Sequence, residues 1–217
     1  MRVRHSFERP EGKKSARLIV VASEGKETEK IYFNAVKNSV CAGNVHLEVL
    51  ERDSNASSPN VVYSQLKQFQ DTYQLDDEDE LWVIIDKDRW KVQTLAAIAR
   101  LCNQSKFLHF AMSNPCFELW LLLHYEDVSS MSNDDQKALK ENKKVSRRGD
   151  TWLKTRVRRH MGSYKESSYD AEILMPNILV ARDRAEALDK NKSERWPIGI
   201  GTHVYKLVDS IMDINRG

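Results

Sequence analysis

The segment Val83-Ile84-Ile85-Asp86-Lys87-Asp88-Arg89-Trp90 places two carboxylates two residues apart where an apolar run ends. Side chains at i and i+2 of an extended chain point the same way, so Asp86 and Asp88 can face one cavity while Lys87 faces elsewhere. Two other apolar runs end in similar punctuation: Leu18 to Ala22 at Ser23-Glu24-Gly25, and Phe107 to Met112 at Ser113-Asn114-Pro115. Carboxylates crowded into one place raise one another's pKa unless a cation neutralises them. Hard oxygen donors suit Mg²⁺ or Mn²⁺. The competing reading is a charged turn, in which Asp88 pairs with Arg89 or Lys91 and Asp86 caps the next helix. Gly25 permits a tight strand-to-helix turn, and Thr28-Glu29 opens a helix whose amides could meet a phosphate. Glu29 is equally well explained as a favourable first-turn acid.

These stretches meet only if the right elements carry them. Leu18 to Ala22 reads as a strand buried on both faces. His46 to Glu51 alternates and reads as a second strand nearer the sheet edge. Leu81 to Ile85 and Phe107 to Met112 complete four. Helical spacing appears after the first strand (Ile31, Ala35, Val36), over Val61 to Tyr73 and over Val92 to Cys102, and Phe117 to Tyr125 reads as a buried helix. Strands separated by helices predict an α/β fold with a mostly parallel central sheet flanked by helices. In such a sheet, ligands gather outside the carboxyl ends of the strands, where all three punctuated sites fall.

Beyond Asp127 the character changes. Ser129 to Asp135 reads as a polar loop, Asp170 to Lys190 as one long helix, and Gly201 to Ile214 as a short helix with Thr202 as its N-cap. Between them, Lys140 to Lys165 carries ten basic and two acidic residues, a local charge of +8 inside a chain whose net charge is +2. Thr151 to Lys165 mixes Trp152 and Tyr164 with Lys154, Arg156, Arg158, Arg159 and Lys165, and Arg147 and Arg148 precede it. That mixture suits phosphate contacts and base stacking on DNA or RNA, and a solvated helix face is the alternative. Three segments result: a basic arm (1–16), an α/β core (17–128) and a basic helical extension (129–217) packed on it.

The 217 residues, with 41% hydrophobic and 30% charged, can bury a core. No apolar run suits a membrane span, and the basic start lacks the apolar stretch of a signal peptide. Cys41, Cys102 and Cys116 form no C-x-x-C pair, which argues against a zinc ribbon or disulfide framework and for a reducing cytoplasm. Asp76 to Glu80 reads as a solvated acidic loop. Cys116, Trp120 and His124 are best explained by packing.

LIVVASEGKETEKIYF followed by LWVIIDKDRW resembles the Toprim fold of topoisomerases, primases and OLD-type nucleases. Together with SNPCFELWLLLHY and GTHVYKLVDSI, these blocks resemble the RloB-like family over about residues 15–214. The resemblance implies that Glu24 is the Toprim glutamate, a metal ligand or general acid/base, and that Asp86 and Asp88 hold Mg²⁺. It implies a metal-dependent nuclease of a bacterial defence system acting on DNA or RNA, tRNA included; from the basic segment, Lys165 could offset charge on a phosphate in the transition state. Many Toprim enzymes carry a further acid where Trp90 stands, so a second cation would need Glu29, Glu118 or another acid, with Asn114 within reach. The other reading is a non-catalytic partner that grips nucleic acid or an ATPase. No G-x-x-x-x-G-K-[ST] occurs, so any ATPase or restriction-system protein would act in trans.

Overall fold

The structure is a computed structural model, and it describes residues 4–8, 15–51, 58–87 and 90–214. In chain order it contains β1 (His5–Ser6), β2 (Arg17–Ser23), α1 (Thr28–Ser39), β3 (Val45–Val49), α2 (Pro59–Thr72), β4 (Tyr73–Gln74), β5 (Glu80–Asp86), α3 (Val92–Asn103), β6 (Leu108–Asn114) and α4 (Glu118–Leu123). There follow α5 (Asn133–Glu141), α6 (Trp152–Met161), α7 (Ile178–Leu188), β7 (Gly201–Thr202) and α8 (Val204–Ile211). The fold is mixed α/β. Its main sheet has the order β3-β2-β5-β6-β7, with the first four strands parallel and β7 antiparallel to β6.

Strand alternation divides the interior in two. Ile19, Val21, Trp82 and Ile84 face a layer built by Tyr32 and Phe33 of α1, Trp120 of α4, Val157 of α6, Ala181 of α7 and Leu207 of α8. Leu18, Val20, Ala22, Val83 and Ile85 face the opposite layer, with Leu66 of α2 and Ile98 of α3. The chain runs from β2 outward to β3 and then returns to place β5 on the other side of β2. The carboxyl ends of β2 and β5 therefore flank the point where the winding reverses, the usual ligand crevice of an open α/β sheet. Residues beyond 129 share the core of the first layer and supply β7 to the sheet.

Several expectations are corrected. Asp79 and Glu80 are buried rather than solvated: Leu18 N donates to Asp79 Oδ1 at 2.8 Å, and Arg17 pairs with Glu80 at 2.7 Å. These contacts close the amino end of the sheet, where edge amides and a buried guanidinium need acceptors. The polar loop at 129–135 ends early, because Ser132 accepts from Asp135 N and caps α5. The single helix over Asp170 to Lys190 is instead a 3₁₀ segment, Glu172–Asn177, followed by α7. Pro176 lies at that junction, where its missing N–H interrupts the α-helical ladder. Ile173 and Leu179 are exposed. Thr202 lies in β7 rather than at the N-cap position, which His203 takes, although Thr202 Oγ1 still accepts from Val204 N at 3.2 Å. The described part of the basic arm pairs β1 with β4 and packs Phe7 against Phe69 and Tyr73. No helix of the described residues is long and apolar enough to cross a membrane.

Candidate functional site

A cavity of about 690 Å³ opens at the carboxyl ends of β2 and β5. Glu24 follows β2, and its amide donates to Ile84 O at 3.0 Å, extending the ladder one residue past the strand. Its carboxylate is almost buried, and Oε2 accepts the indole N–H of Trp90 at 2.7 Å. Asp86 ends β5, opposite Ser113 of β6, and lines the same cavity. Asp88 lies outside the described residues, as does its candidate partner Arg89.

Glu29 enters from the first turn of α1, 3% exposed, and its Oε1 accepts the Gly25 amide at 3.1 Å. Gly25 is required by this approach: a Cβ there would fall 1.8 Å from Glu29 Oε2. Burial pushes the Glu29 carboxyl up to about 7, with the negative charges of Glu118 and Glu24 adding to it and backbone amides opposing. Glu118, from the first turn of α4, accepts the Tyr164 hydroxyl at 3.2 Å and lies 3.9 Å from Lys154 Nζ. Four carboxylates of the sequence reading, Glu24, Glu29, Asp86 and Glu118, are thus brought into one cavity wall.

Other residues are placed elsewhere. Asn114 donates to the carbonyls of Pro197, Ile198 and Gly199 at 3.2, 3.2 and 2.6 Å, so it anchors that loop and is not among the described residues lining the cavity. Cys116 lines the cavity, but burial and the nearby Glu118 and Asp86 push its thiol well above the ordinary range, and it accepts from Asn142 at 3.3 Å. It is a poor nucleophile for that reason. His124, pushed down to about 4 by burial, bonds to Tyr32 and Trp120 within the core.

The basic segment divides into three groups. Arg156 is held by both oxygens of Glu126, at 2.6 and 2.8 Å, and lies over the half-buried Trp152. Lys154 pairs with Glu166 at 2.6 Å, and Arg158 pairs with Asp150 while donating to Tyr164 O at 3.0 Å; both line the cavity. Arg147, Arg148, Arg159 and Lys165 are exposed, Lys165 at the cavity rim. Tyr164, expected to offer a stacking surface, is instead 1% exposed because its ring is packed in the first core layer.

Hard carboxylate oxygens gathered in one cavity wall, with Glu29 raised first by burial and further by Glu118 and Glu24, are the donor set that a divalent cation would relieve. Among the described residues, no group of three His, Cys, Asp or Glu side chains has the geometry of a formed cation site. Glu24, Asp86 and their neighbours would supply ligands, and substrate phosphate and water the remainder.

A family model described as RloB-like protein matches residues 19–211. The chain belongs to the RloB-like family. Searches of curated proteins and of solved structures find no match. The RloB-like match spans the cavity from Glu24 to Ser167, and so takes in both the sheet end and the helices that wall it. The contacts of three contributors escaped sequence reasoning. Trp90 stood out only as a missing acid, and its indole donor to Glu24 has no signature in spacing. Tyr164 lies 46 residues from Glu118, whose carboxylate it meets, and the pairing of Glu166 with Lys154 joins a turn to a helix; nothing local marks either contact.

Proposed function

We propose that this RloB-like chain is a divalent-cation-dependent phosphodiesterase acting on DNA or RNA, built on a Toprim-like sheet and serving a bacterial defence system. The observation that carries the reading is the joint placement of Glu24, Glu29, Asp86 and Glu118 in one cavity at the reversal point of the sheet, with Lys154, Arg158 and Lys165 on its wall. Acids for a cation and cations for a phosphate occur together there. A bound Mg²⁺ or Mn²⁺ would polarise a phosphodiester and make water a better nucleophile at neutral pH.

The chain's own residues have separable tasks. Asp86 and Glu24, joined by Asp88 on the family resemblance, hold the cation. Trp90 fixes the orientation of Glu24. Glu29, with its carboxyl pushed up to about 7, can take or give a proton near neutrality. Lys154, Lys165 and Arg158 offset the negative charge that grows on the phosphate, while Arg147, Arg148 and Arg159 extend the grip along the backbone. Any ATPase or restriction-system partner would act from another chain.

Calorimetric titration with Mn²⁺ and Mg²⁺, paired with cleavage of labelled DNA and RNA with and without chelator, tests this. Native protein is expected to bind and cleave. Asp86→Asn and Glu24→Gln, folded by circular dichroism, are expected to do neither. Salt-sensitive nucleic-acid binding that persists without any metal-dependent product would instead favour a non-catalytic binding partner.

A further inference from the structure

Among the described basic side chains of the cavity wall, Lys154 is the least exposed, at 25% against 43% for Arg158, with Lys26 and Lys165 on the surface. Its helix, α6, is fixed from beneath by Leu153 and Val157, both fully buried. The ammonium stands between two carboxylates of different character. Glu118 Oε1, 3.9 Å away, belongs to a side chain 6% exposed and tethered by the Tyr164 hydroxyl. Glu166 Oε1, at 2.6 Å, belongs to a side chain 55% exposed. The main chain at Glu166 is docked independently, its carbonyl accepting from Thr28 Oγ1 at 3.2 Å. The Glu166 carboxylate can therefore leave Lys154 without undocking the segment that carries it.

We propose that Glu166 stands in for a substrate phosphate: it occupies the outer side of Lys154 in the free protein, and a nucleic-acid phosphate takes its place there. This rests on the nucleic-acid reading given above, and it assigns Lys154 as the phosphate-binding residue of the cavity. A carboxylate and a phosphate offer an ammonium the same charge-assisted acceptor geometry. A half-exposed lysine–glutamate pair is weak enough to exchange. After the exchange, Glu118 still keeps the ammonium aimed into the cavity. The exchange also answers an electrostatic difficulty. Seven acidic and four basic described residues line the cavity, so an approaching polyanion meets net repulsion. Moving one carboxylate out to solvent while releasing the part-exposed Lys154 ammonium to the phosphate lowers that barrier at the point of contact.

The test is a double-mutant cycle read by fluorescence anisotropy, with a short fluorescein-labelled single-stranded oligonucleotide, as DNA and as RNA, at constant ionic strength in EDTA. Working without metal separates this readout from cleavage. Glu166→Gln is expected to tighten binding about two- to fivefold, the range set by a weak ion pair. Lys154→Met is expected to weaken it, and in that background Glu166→Gln is expected to change nothing. Lys154→Gln serves in its place if the Met variant does not fold by circular dichroism. The same tightening in both backgrounds would mean a general charge effect and would overturn the proposal, as would no tightening at all. Failure of the native protein to bind either oligonucleotide would overturn the nucleic-acid reading, and this proposal with it. Binding without coupling overturns this proposal alone.

Discussion

The indole N–H of Trp90 donates to Glu24 Oε2 at 2.7 Å, so a residue from the turn after β5 holds the carboxylate that follows β2. Trp90 thereby restrains a carboxylate of the cavity wall. Hydrogen-bond partners behind a metal ligand set its orientation and basicity. Trp90→Phe keeps the ring and removes the donor. It is expected to weaken Mn²⁺ binding about tenfold while leaving the fold intact. Calorimetry alongside circular dichroism checks this, and unchanged affinity would sink the positioning role.

Gly25 makes room for the Glu29 carboxylate, whose Oε2 would lie 1.8 Å from an added Cβ. Because that group ends a flexible side chain, Gly25→Ala is expected to swing Glu29 away rather than unfold the turn. The lost bond to the Gly25 amide should cost about 1 kcal/mol. Urea denaturation measures the loss, and a cost of several kcal/mol would show that the backbone itself had been forced to move.

Glu29 gives the metal-free protein a specific pH response. Its carboxyl is raised from 4.5 to about 7 in the fold, so the native state binds the proton more tightly than the unfolded chain does. Stability from this group is full below about 4.5 and falls as pH rises toward 7, by up to about 3 kcal/mol. Glu29→Gln is expected to flatten that slope between pH 5 and 7 (roughly the span of the shift). Denaturation midpoints across the range, native against variant, decide it. A slope that survives the substitution would mean another group carries it.

Arg156 and the pair Arg147/Arg148 come from one basic segment, yet they should behave differently. Arg156 is bound by both oxygens of Glu126, whereas Arg147 and Arg148 are exposed. Arg147→Ala/Arg148→Ala is expected to weaken nucleic-acid binding and reduce the salt slope by about 2. Arg156→Ala is expected to lower thermal stability, with little change in that slope. The opposite pattern would place the nucleic-acid interface on the Trp152–Arg156 face of α6.

Much of this was legible in local pattern. Apolar runs ending at Glu24, Asp86 and Asn114 marked three parallel strands and the edge where their carboxyl ends meet, because a strand buried on both faces leaves a continuous apolar signature. Four sequence blocks in order identified the RloB-like family. What the sequence could not supply were the partners. That Asp79 and Glu80 are buried, that Asn114 holds the 197–199 loop, that Tyr164 turns inward and that Lys154 lies between Glu118 and Glu166 all depend on contacts across long stretches of chain. A hydrogen bond or ion pair of that kind leaves no periodicity, since periodicity reports only which face of an element is apolar. The carboxylates and cations available at that end of the sheet were therefore written in the sequence, whereas which of them pair with one another was decided by packing.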